Sequence, residues 1–461
     1  MISSKKNNIF KAAEAVLFFL GAAAVFCLKQ VNLSYFFLLL VLFYYLKVLR
    51  RKEEPNYLSL GLLFVLSFAC LYFTREFAVT PYISLIFLLV ILVNVLFSDW
   101  EFSLVYLLAI SLLNGFIKGY DFRLFFVFFV SGCLGIFLSR NVRRRFDVIQ
   151  AGVLSGIAEF ILVICLFPGF SLTEAGQVFK LCFFSGLIPS VILIILPVFE
   201  YLFGAISNIS LLELSDFNHP LLRKMILEAP GTYQHSLVVA NLAEIAAESI
   251  GANSLLARAG AYYHDIGKIS KAEYFAENQM LAGYKDRHKN LSPSMSKMII
   301  MNHVKEGIEL ARKYRLNKKI INFIAQHHGT TLVYYFFRRA KEINPENSGS
   351  EEIYRYPGPK PNSKEVALVH LADTVEASSR VLEDPTPARI KEMVKQAIMN
   401  KFLDGQLDNT DLTLRDLEKT AEVFVRVLNA MFHTRVDYFK DADENSHNQP
   451  SKPAANTEES A

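Results

Sequence analysis

Eight apolar runs fill the first 204 residues of the chain, and each is close to the length of a membrane-spanning helix. They cover approximately residues 12 to 28, 33 to 49, 57 to 73, 81 to 98, 102 to 117, 123 to 139, 151 to 168 and 177 to 204. A helix needs about 20 apolar residues to cross a bilayer, and the bilayer core offers no water to an open backbone. With 52% hydrophobic residues and a mean hydropathy of +0.28, the whole chain is too apolar for an ordinary soluble protein. We therefore predict a polytopic bundle of transmembrane helices over residues 1 to 204.

The positions of the basic residues predict which side each loop faces. The most basic loops, Lys47–Lys52 and Arg140–Arg145, alternate with loops that carry few positive charges, although Lys118 lies on the other side. The positive-inside rule then places the N-terminus, these loops and the second half of the chain in the cytoplasm. The first run ends in the bulky Phe26-Cys27-Leu28 rather than in a small-residue cleavage site, so we expect a membrane span there and not a signal peptide.

Charge and cysteine content exclude two classes of site. The formal net charge of +4 is small for 461 residues and gives no basis for a nucleic-acid polymer as partner. All five cysteines fall in the apolar half, at Cys27, Cys70, Cys133, Cys165 and Cys182. A thiolate metal site is therefore excluded from the second half, which suits a reducing compartment.

The second half contains an ordered series of histidine and aspartate residues. It consists of His235, His264, Asp265, His303, His327, His328 and Asp373. Adjacent His264 and Asp265 can offer an imidazole nitrogen and a carboxylate oxygen to the same ion. Nitrogen and oxygen donors without thiolate suit catalytic zinc, iron or manganese better than a closed structural zinc site. The series predicts a metal-dependent hydrolase.

The motifs around these residues carry a family resemblance. They are Pro230-Gly-Thr-Tyr-Gln-His235, Ala261-Tyr-Tyr-His-Asp-Ile-Gly-Lys268, His303-Val-Lys-Glu-Gly307, Gln326-His-His-Gly329 and Leu371-Ala-Asp-Thr-Val-Glu-Ala377. In this order, and after membrane segments, they resemble the HD hydrolase superfamily and within it the seven-transmembrane receptors with an intracellular HD domain, the PgpH type. The resemblance implies an all-helical HD domain that hydrolyses cyclic di-AMP to linear pApA. The usual extracellular domain after the first span is missing, since only Lys29-Gln-Val-Asn32 stands there, and we expect no extracellular ligand sensing.

The resemblance also implies roles for single residues. Two divalent metal ions, iron or manganese, are expected, with Asp265 between them. His235, His264 and Asp373 would complete one metal site, and His303, His327 and His328 the other. Asp265 and Lys268 are the expected catalytic residues, with Lys268 also binding substrate phosphate.

Three further side chains have more than one interpretation. Arg380 would bind substrate phosphate or pair with Glu376 four residues earlier. Glu376 would hydrogen-bond a metal-binding histidine. His288 lies in a polar, turn-rich stretch and is expected on the surface.

The order of segments predicts an all-α protein. Its divisions are a transmembrane region over residues 1 to 204, a linker over 205 to 220, the HD domain over 221 to 436 and a disordered polar tail over 437 to 461. Spacing of apolar residues predicts helices at Tyr233–Ile250, Ser254–Tyr263 and Lys364–Leu382. Thr232 is the expected N-cap of the first of these.

The sequence is also compatible with two other functions. The HD domain would act on another nucleotide, such as cyclic di-GMP, guanosine tetraphosphate or a deoxynucleoside triphosphate, or would bind a nucleotide without turnover as a membrane receptor. Against cyclic di-GMP, no Gly-Tyr-Pro motif stands beside the His-Asp pair. The expected partners are a cyclic dinucleotide and the lipid bilayer of the bacterial inner membrane, and a homodimer is left open.

Overall fold

The computed structural model describes residues 63, 65–67, 69–70, 85–117, 121–140, 142–282, 286–343 and 349–432. Over these residues the chain is helical, and the one β-type pairing among them is an isolated bridge between Leu332 and Arg355. The predicted all-α class is confirmed. Of the predicted membrane spans, those at 12 to 28 and 33 to 49 lie outside the described residues, and the one at 57 to 73 is described at only a few positions.

Six α-helices make up the described part of the apolar half. They are α1 (Ile86–Phe97), α2 (Trp100–Ile117), α3 (Phe122–Leu138), α4 (Arg145–Leu166), α5 (Leu172–Leu187) and α6 (Ile192–Phe203). Among described helices, α4 and the stretch Leu172–Phe203 are both long and apolar enough to cross a bilayer. The run predicted as one span at 177 to 204 is divided by a 3-10 turn, Ile188–Val191, that contains Pro189. Proline cannot supply a backbone N–H, so the α-helical ladder changes there.

A buried asparagine ties three helices of this half together. Asn94 of α1 donates to Ile136 O at 3.1 Å and to Ser139 Oγ at 2.9 Å, and it accepts from Ser103 Oγ at 3.1 Å. Its side-chain bonds thus reach both neighbouring helices, α2 and α3, within an apolar interior. Such bonds are used between helices where lipid gives no hydrophobic drive for association.

Eleven α-helices form the described remainder. They are α7 (Asn208–Leu214), α8 (Pro220–Glu228), α9 (Pro230–Ser249), α10 (Ser254–Tyr263), α11 (Ala276–Ala282), α12 (Pro293–Lys313), α13 (Lys318–Gln326), α14 (Tyr334–Ile343), α15 (Lys364–Ser379), α16 (Pro387–Leu403) and α17 (Leu414–Phe432). Helix α9 packs against α10, α15 and α17, and α15 is buried on nearly every side. These central helices position the histidine and aspartate series.

Helix α9 begins earlier than its sequence predicts. Pro230 is its first residue, where the missing N–H of proline costs nothing. Thr232, the predicted N-cap, is inside the helix, and its hydroxyl instead bonds Asn278 Nδ2 at 2.9 Å. Asn278 Oδ1 in turn accepts from the free N–H groups of Gly231 at 2.8 Å and Thr232 at 3.1 Å. A distant side chain caps this helix, which local sequence cannot reveal.

Helix α7 lies inside the predicted linker and joins two hydrophobic cores. Its residue Ile209 packs into the core of the apolar half, whereas Leu211 packs into the core of the second half. The buried Glu200 carboxylate of α6 accepts from Ser207 N and from Ser210 Oγ, both at 2.7 Å. At the other end of α7, Tyr263 Oη donates to Leu214 O at 2.7 Å.

Candidate metal centre

Five segments of the second half bring the histidine and aspartate series to one place. His235 comes from α9, His264 and Asp265 directly follow α10, His303 lies in α12, His327 and His328 directly follow α13, and Asp373 lies in α15. Gly267 allows two of these segments to touch, since a Cβ there would lie 1.8 Å from His303 O. All seven predicted donor residues are brought together.

The donor atoms form two groups. Asp265, His303, His327 and His328 make one group, and His235, His264 and Asp373 make the other, with the atoms of each within 4.8 Å of one another. The two oxygens of Asp265 face different groups. Oδ1 lies 3.3 Å from His303 Nε2 and 3.4 Å from His327 Nε2, whereas Oδ2 lies 3.2 Å from His264 Nε2. The Asp265 carboxylate therefore stands between the two groups.

The far nitrogen of each buried histidine is held by a hydrogen bond. His264 Nδ1 donates to Ala261 O at 2.6 Å, His303 Nδ1 to Ile300 O at 2.5 Å, and His327 Nδ1 to Ile324 O at 3.0 Å. His235 Nδ1 donates to Glu376 Oε2 at 2.6 Å, the bond expected of Glu376. Fixing Nδ1–H leaves the lone pair of Nε2 for a ligand and sets the ring direction.

The inward atoms need a cation. His264 Nε2 and Asp265 Oδ1 are buried, and neither has a hydrogen-bond partner in the described part of the chain, whereas Asp265 Oδ2 lies 2.7 Å from Lys268 Nζ and His235 Nε2 lies 3.1 Å from Asp373 Oδ1. His303 Nε2 and His327 Nε2 approach each other to 3.3 Å, where their lone pairs repel unless a proton or ion lies between. Buried polar atoms without partners are costly. The donor set fits divalent metal ions.

The charges around Asp265, His327 and His328 suit divalent metal ions, whereas the Asp373 and Glu376 carboxylates outweigh burial and raise the pKa of His235 to about 10. Burial acts to raise the pKa of Asp265, but the charges of Lys268 and His264 outweigh it and hold that pKa well below its usual value. Burial lowers the pKa of His327 and holds that of His328 well below its usual value. The carboxylate stays ionised and these two imidazoles neutral, which are the forms that bind metals.

Lys268 is part of this centre and is already paired. Its Nζ lies 2.7 Å from Asp265 Oδ2 and 2.9 Å from Glu277 Oε1, and it stands 5.1 Å from the centre of the Phe275 ring. These two carboxylates outweigh burial and raise the pKa of Lys268. Glu277 was not predicted from the sequence, because it matches no motif and reaches Lys268 only through the turn before α11.

Arg380 and Glu376 support His235 from behind. Arg380 Nε and Nη2 lie 2.6 Å and 2.5 Å from Glu376 Oε1. The other oxygen of Glu376 accepts a hydrogen bond from His235. Of the two interpretations of Arg380, the structure contains the pair with Glu376. Its role toward a substrate stays a prediction.

Neither His288 nor His370 belongs to the donor groups. The prediction that His288 is a surface residue is wrong, because it is 7% exposed, bonds Tyr274 O at 2.9 Å and packs on Phe336. The residues next to His288 in sequence are polar, so nothing in the sequence indicated this packing. His370 Nδ1 donates to His327 O at 2.5 Å and so holds the turn that carries the His327–His328 pair.

Besides Glu277, two residues near the centre were not predicted from the sequence. The Tyr356 ring stacks on His328, with ring centres 4.3 Å apart, and it comes from the proline-rich loop after α14. Lys401, in the last turn of α16, donates to Thr331 Oγ1 at 3.2 Å. Tyr356 could have been predicted, because it is an aromatic residue in a rigid, proline-rich loop. Lys401 carries no such signal.

Comparison with known proteins places the chain. A family model described as HD domain matches residues 232–378, and one described as 7TM receptor with intracellular HD hydrolase matches residues 25–207. The chain belongs to the family of 7TM receptors with an intracellular HD hydrolase. Membership puts its first half among membrane proteins and its second half among metal-dependent HD hydrolases, so the family resemblance is confirmed.

Several members of this family are similar along most of the chain. The cyclic-di-AMP phosphodiesterase PgpH of Bacillus subtilis is 42% identical over 316 residues, and that of Listeria monocytogenes is 39% identical over 319 residues. Each alignment covers 68% of this chain and 44% of the relative, so the chain spans less than half the length of these relatives. A crystal structure of the L. monocytogenes PgpH HD domain in complex with cyclic-di-AMP is 45% identical, with a TM-score of 0.45, and covers 48% of this chain and 100% of that one.

Proposed function

We propose that this chain is a membrane-bound, metal-dependent phosphodiesterase that hydrolyses cyclic di-AMP to pApA. The observation that carries the proposal is the Asp265 carboxylate, whose two oxygens face two separate groups of donors. A pair of closely spaced metal sites is a common arrangement for in-line displacement at phosphorus. The choice of cyclic di-AMP as substrate rests on the relatives named cyclic-di-AMP phosphodiesterase.

The ligand assignments follow the two donor groups. His235, His264 and Asp373 would hold one divalent ion, and His303, His327 and His328 the other, with Asp265 shared. Iron or manganese suits such a nitrogen and oxygen set. When bound, the ions supply Lewis-acid activation of water and of the phosphate.

The residues of the chain supply position and charge. In the reaction a water oxygen bonds to phosphorus, the bond from phosphorus to the ribose 3′-oxygen breaks, and that oxygen takes up a proton. Lys268, held between Asp265 and Glu277, provides a fixed positive charge beside the reacting phosphate. His328 and Asp373 are the donors with exposed side chains, 22% and 13%, so the substrate enters over them.

The same proposal places the protein in the cell. The family model over residues 25–207 covers seven of the eight apolar runs in full. We place all eight runs in the bacterial inner membrane, an even number that puts both termini and the HD domain, residues 221 to 436, in the cytoplasm. The basic loops carry this orientation.

The test uses the full chain purified in detergent or in lipid nanodiscs. Cyclic di-AMP is added with Mn²⁺ or Fe²⁺, and the products are separated by chromatography, with cyclic di-GMP as the competing substrate and His264→Ala as the matched variant. Release of pApA by the parent but not by the variant supports the proposal. Binding of cyclic di-AMP without turnover would favour a receptor. Turnover of cyclic di-GMP alone would overturn the assignment of cyclic di-AMP as the substrate.

A further inference from the structure

Lys401 reaches the turn that carries two of the metal-site histidines. It lies in the last turn of α16, and its Nζ donates to Thr331 Oγ1 at 3.2 Å, three residues after His328. Gln406, just beyond α16, accepts from the N–H of Thr330 at 2.8 Å. The end of α16 is therefore packed directly against the turn after α13.

The ammonium group of Lys401 has unused bonding capacity. In the described part of the chain it makes the one hydrogen bond to Thr331 and no ion pair within 4.0 Å. Its basic neighbours differ, since Arg355 pairs with Asp404 at 3.0 Å and Lys360 with Asp408 at 3.0 Å. A lysine ammonium has three N–H donors. Two of them are free to bind a ligand.

Burial makes this unpaired charge expensive. Burial lowers the pKa of Lys401 to about 8, against the opposing charges of Asp373 and Asp404. A part-buried lysine that lacks a close counterion costs folding free energy, and groups of this kind concentrate at functional sites. An anionic ligand would supply the missing partner.

The position of Lys401 matches the open side of the metal centre. The side chains of His264, Asp265, His303 and His327 are at most 1% exposed, whereas those of His328 and Asp373 are 22% and 13% exposed. Lys401 bonds the turn after His328, and Asp373 is the carboxylate that acts on it most strongly. Lys401 therefore lies next to the segments that carry the two most exposed donors.

We propose that Lys401 binds the phosphate of the cyclic dinucleotide that is not being hydrolysed. A cyclic dinucleotide carries two phosphodiesters, each with one negative charge, and only one of them reacts at a time. With the reacting phosphate at the donor groups, the second one remains an anion at the mouth and needs a cation. Thr331 directs the ammonium toward it. This assignment rests on the proposed function and adds a residue that sets its substrate class.

The test compares two substrates in the full-length protein. Cyclic di-AMP has two phosphates, whereas bis(p-nitrophenyl) phosphate has one and makes no demand on Lys401. Lys401→Met removes the charge, Lys401→Arg keeps it, and Lys395→Met on the exposed side of the same helix is the matched control. For Lys401→Met we expect KM for cyclic di-AMP to rise by about 10- to 100-fold, the range for loss of a hydrogen bond to a charged group. Hydrolysis of bis(p-nitrophenyl) phosphate should stay within about twofold of the parent, and Lys401→Arg should recover most of the loss.

The outcomes separate this inference from the proposed function. Equal losses on both substrates would show that Lys401 only supports the centre, and an unchanged KM for cyclic di-AMP would show that it binds no phosphate. A parent that hydrolyses bis(p-nitrophenyl) phosphate but not cyclic di-AMP would overturn the proposed function, and this assignment with it. If Lys401→Met does not fold, Thr331→Val removes the hydroxyl that directs the ammonium. An unchanged KM in that variant overturns the inference.

Discussion

His235 and Glu376 share a hydrogen bond of 2.6 Å between Nδ1 and Oε2. It joins α9 to α15 across 141 positions of sequence, and it turns His235 Nε2 toward Asp373 Oδ1 at 3.1 Å. Arg380 holds the other oxygen of Glu376 at 2.6 Å. One donor nitrogen of the centre is thus oriented by a carboxylate and a guanidinium that do not themselves reach the donor groups.

Glu376→Gln should weaken metal binding while leaving the donor residues in place. The neutral amide accepts a weaker hydrogen bond and no longer raises the basicity of His235. We expect affinity for Mn²⁺ to fall by about 10- to 100-fold, as is typical when such a partner is replaced. Metal retained after dialysis against buffered Mn²⁺ measures the effect, with the exposed Glu383→Gln as control. Equal retention by the two variants would contradict the role given to Glu376.

Single donor substitutions should remove one ion rather than both. His264 belongs to one group and His328 to the other, so either alanine variant should retain one ion of an expected two. Asp265→Asn should lower occupancy at both groups, since each loses an oxygen. Elemental analysis of purified protein gives the stoichiometry, and His288→Gln serves as a buried histidine outside the groups. Loss of both ions in each alanine variant would mean that the two groups are not separate sites.

Gly267→Ala should destabilise the second half of the chain. A Cβ at Gly267 would lie 1.8 Å from His303 O and 2.5 Å from Gly307 N, so α12 must move away. We expect a loss of roughly 3 kcal/mol in the free energy of unfolding, the upper range for overpacking. Thermal unfolding measures it, and Gly176→Ala is the control because no atom lies within 4 Å of its Cβ. Similar melting temperatures for both variants would refute the close approach.

The dependence on pH should report the charge of Lys401. Burial places its pKa at about 8, so the ammonium loses its charge above that pH. Because kcat/KM follows groups of the free enzyme, we expect kcat/KM for cyclic di-AMP to fall by about fivefold between pH 8 and pH 9 beyond any change in the Lys401→Arg variant. A fall of the same size in both proteins would assign the titration to another group.

Stability should move in the opposite direction to activity. A lysine whose folded pKa is below that of the unfolded chain is costly to the fold while it is charged. For Lys401 this cost is present below about pH 8 and disappears as the pH rises toward 10.5, the pKa of an ordinary lysine. Relative to Lys401→Met, the parent should therefore gain stability over this interval, which chemical denaturation at several pH values can follow.

The sequence predicted those features that short motifs determine. The donor residues stand in recognisable local contexts, and Glu376 follows Asp373 by three positions, so its bond to a histidine was expected from helix spacing. Lys401 was out of reach, because a lysine in the last turn of a helix is ordinary and its partner Thr331 lies 70 positions away. The prediction for His288 was wrong because contacts with Tyr274 and Phe336, which are distant in sequence, decide its burial. The division of the last apolar run was signalled by Pro189, whose effect on the helix depends on its neighbours.

Helix α7 joins the two halves of the chain, because it packs into the hydrophobic core of each. A shift of α6 would break the bonds of Glu200 to Ser207 and Ser210 or would move α7 as well. If α7 is dragged, the Leu214 carbonyl pulls on Tyr263, and the next residue is His264. A short series of hydrogen bonds thus connects the end of α6 to the residue that precedes a donor histidine.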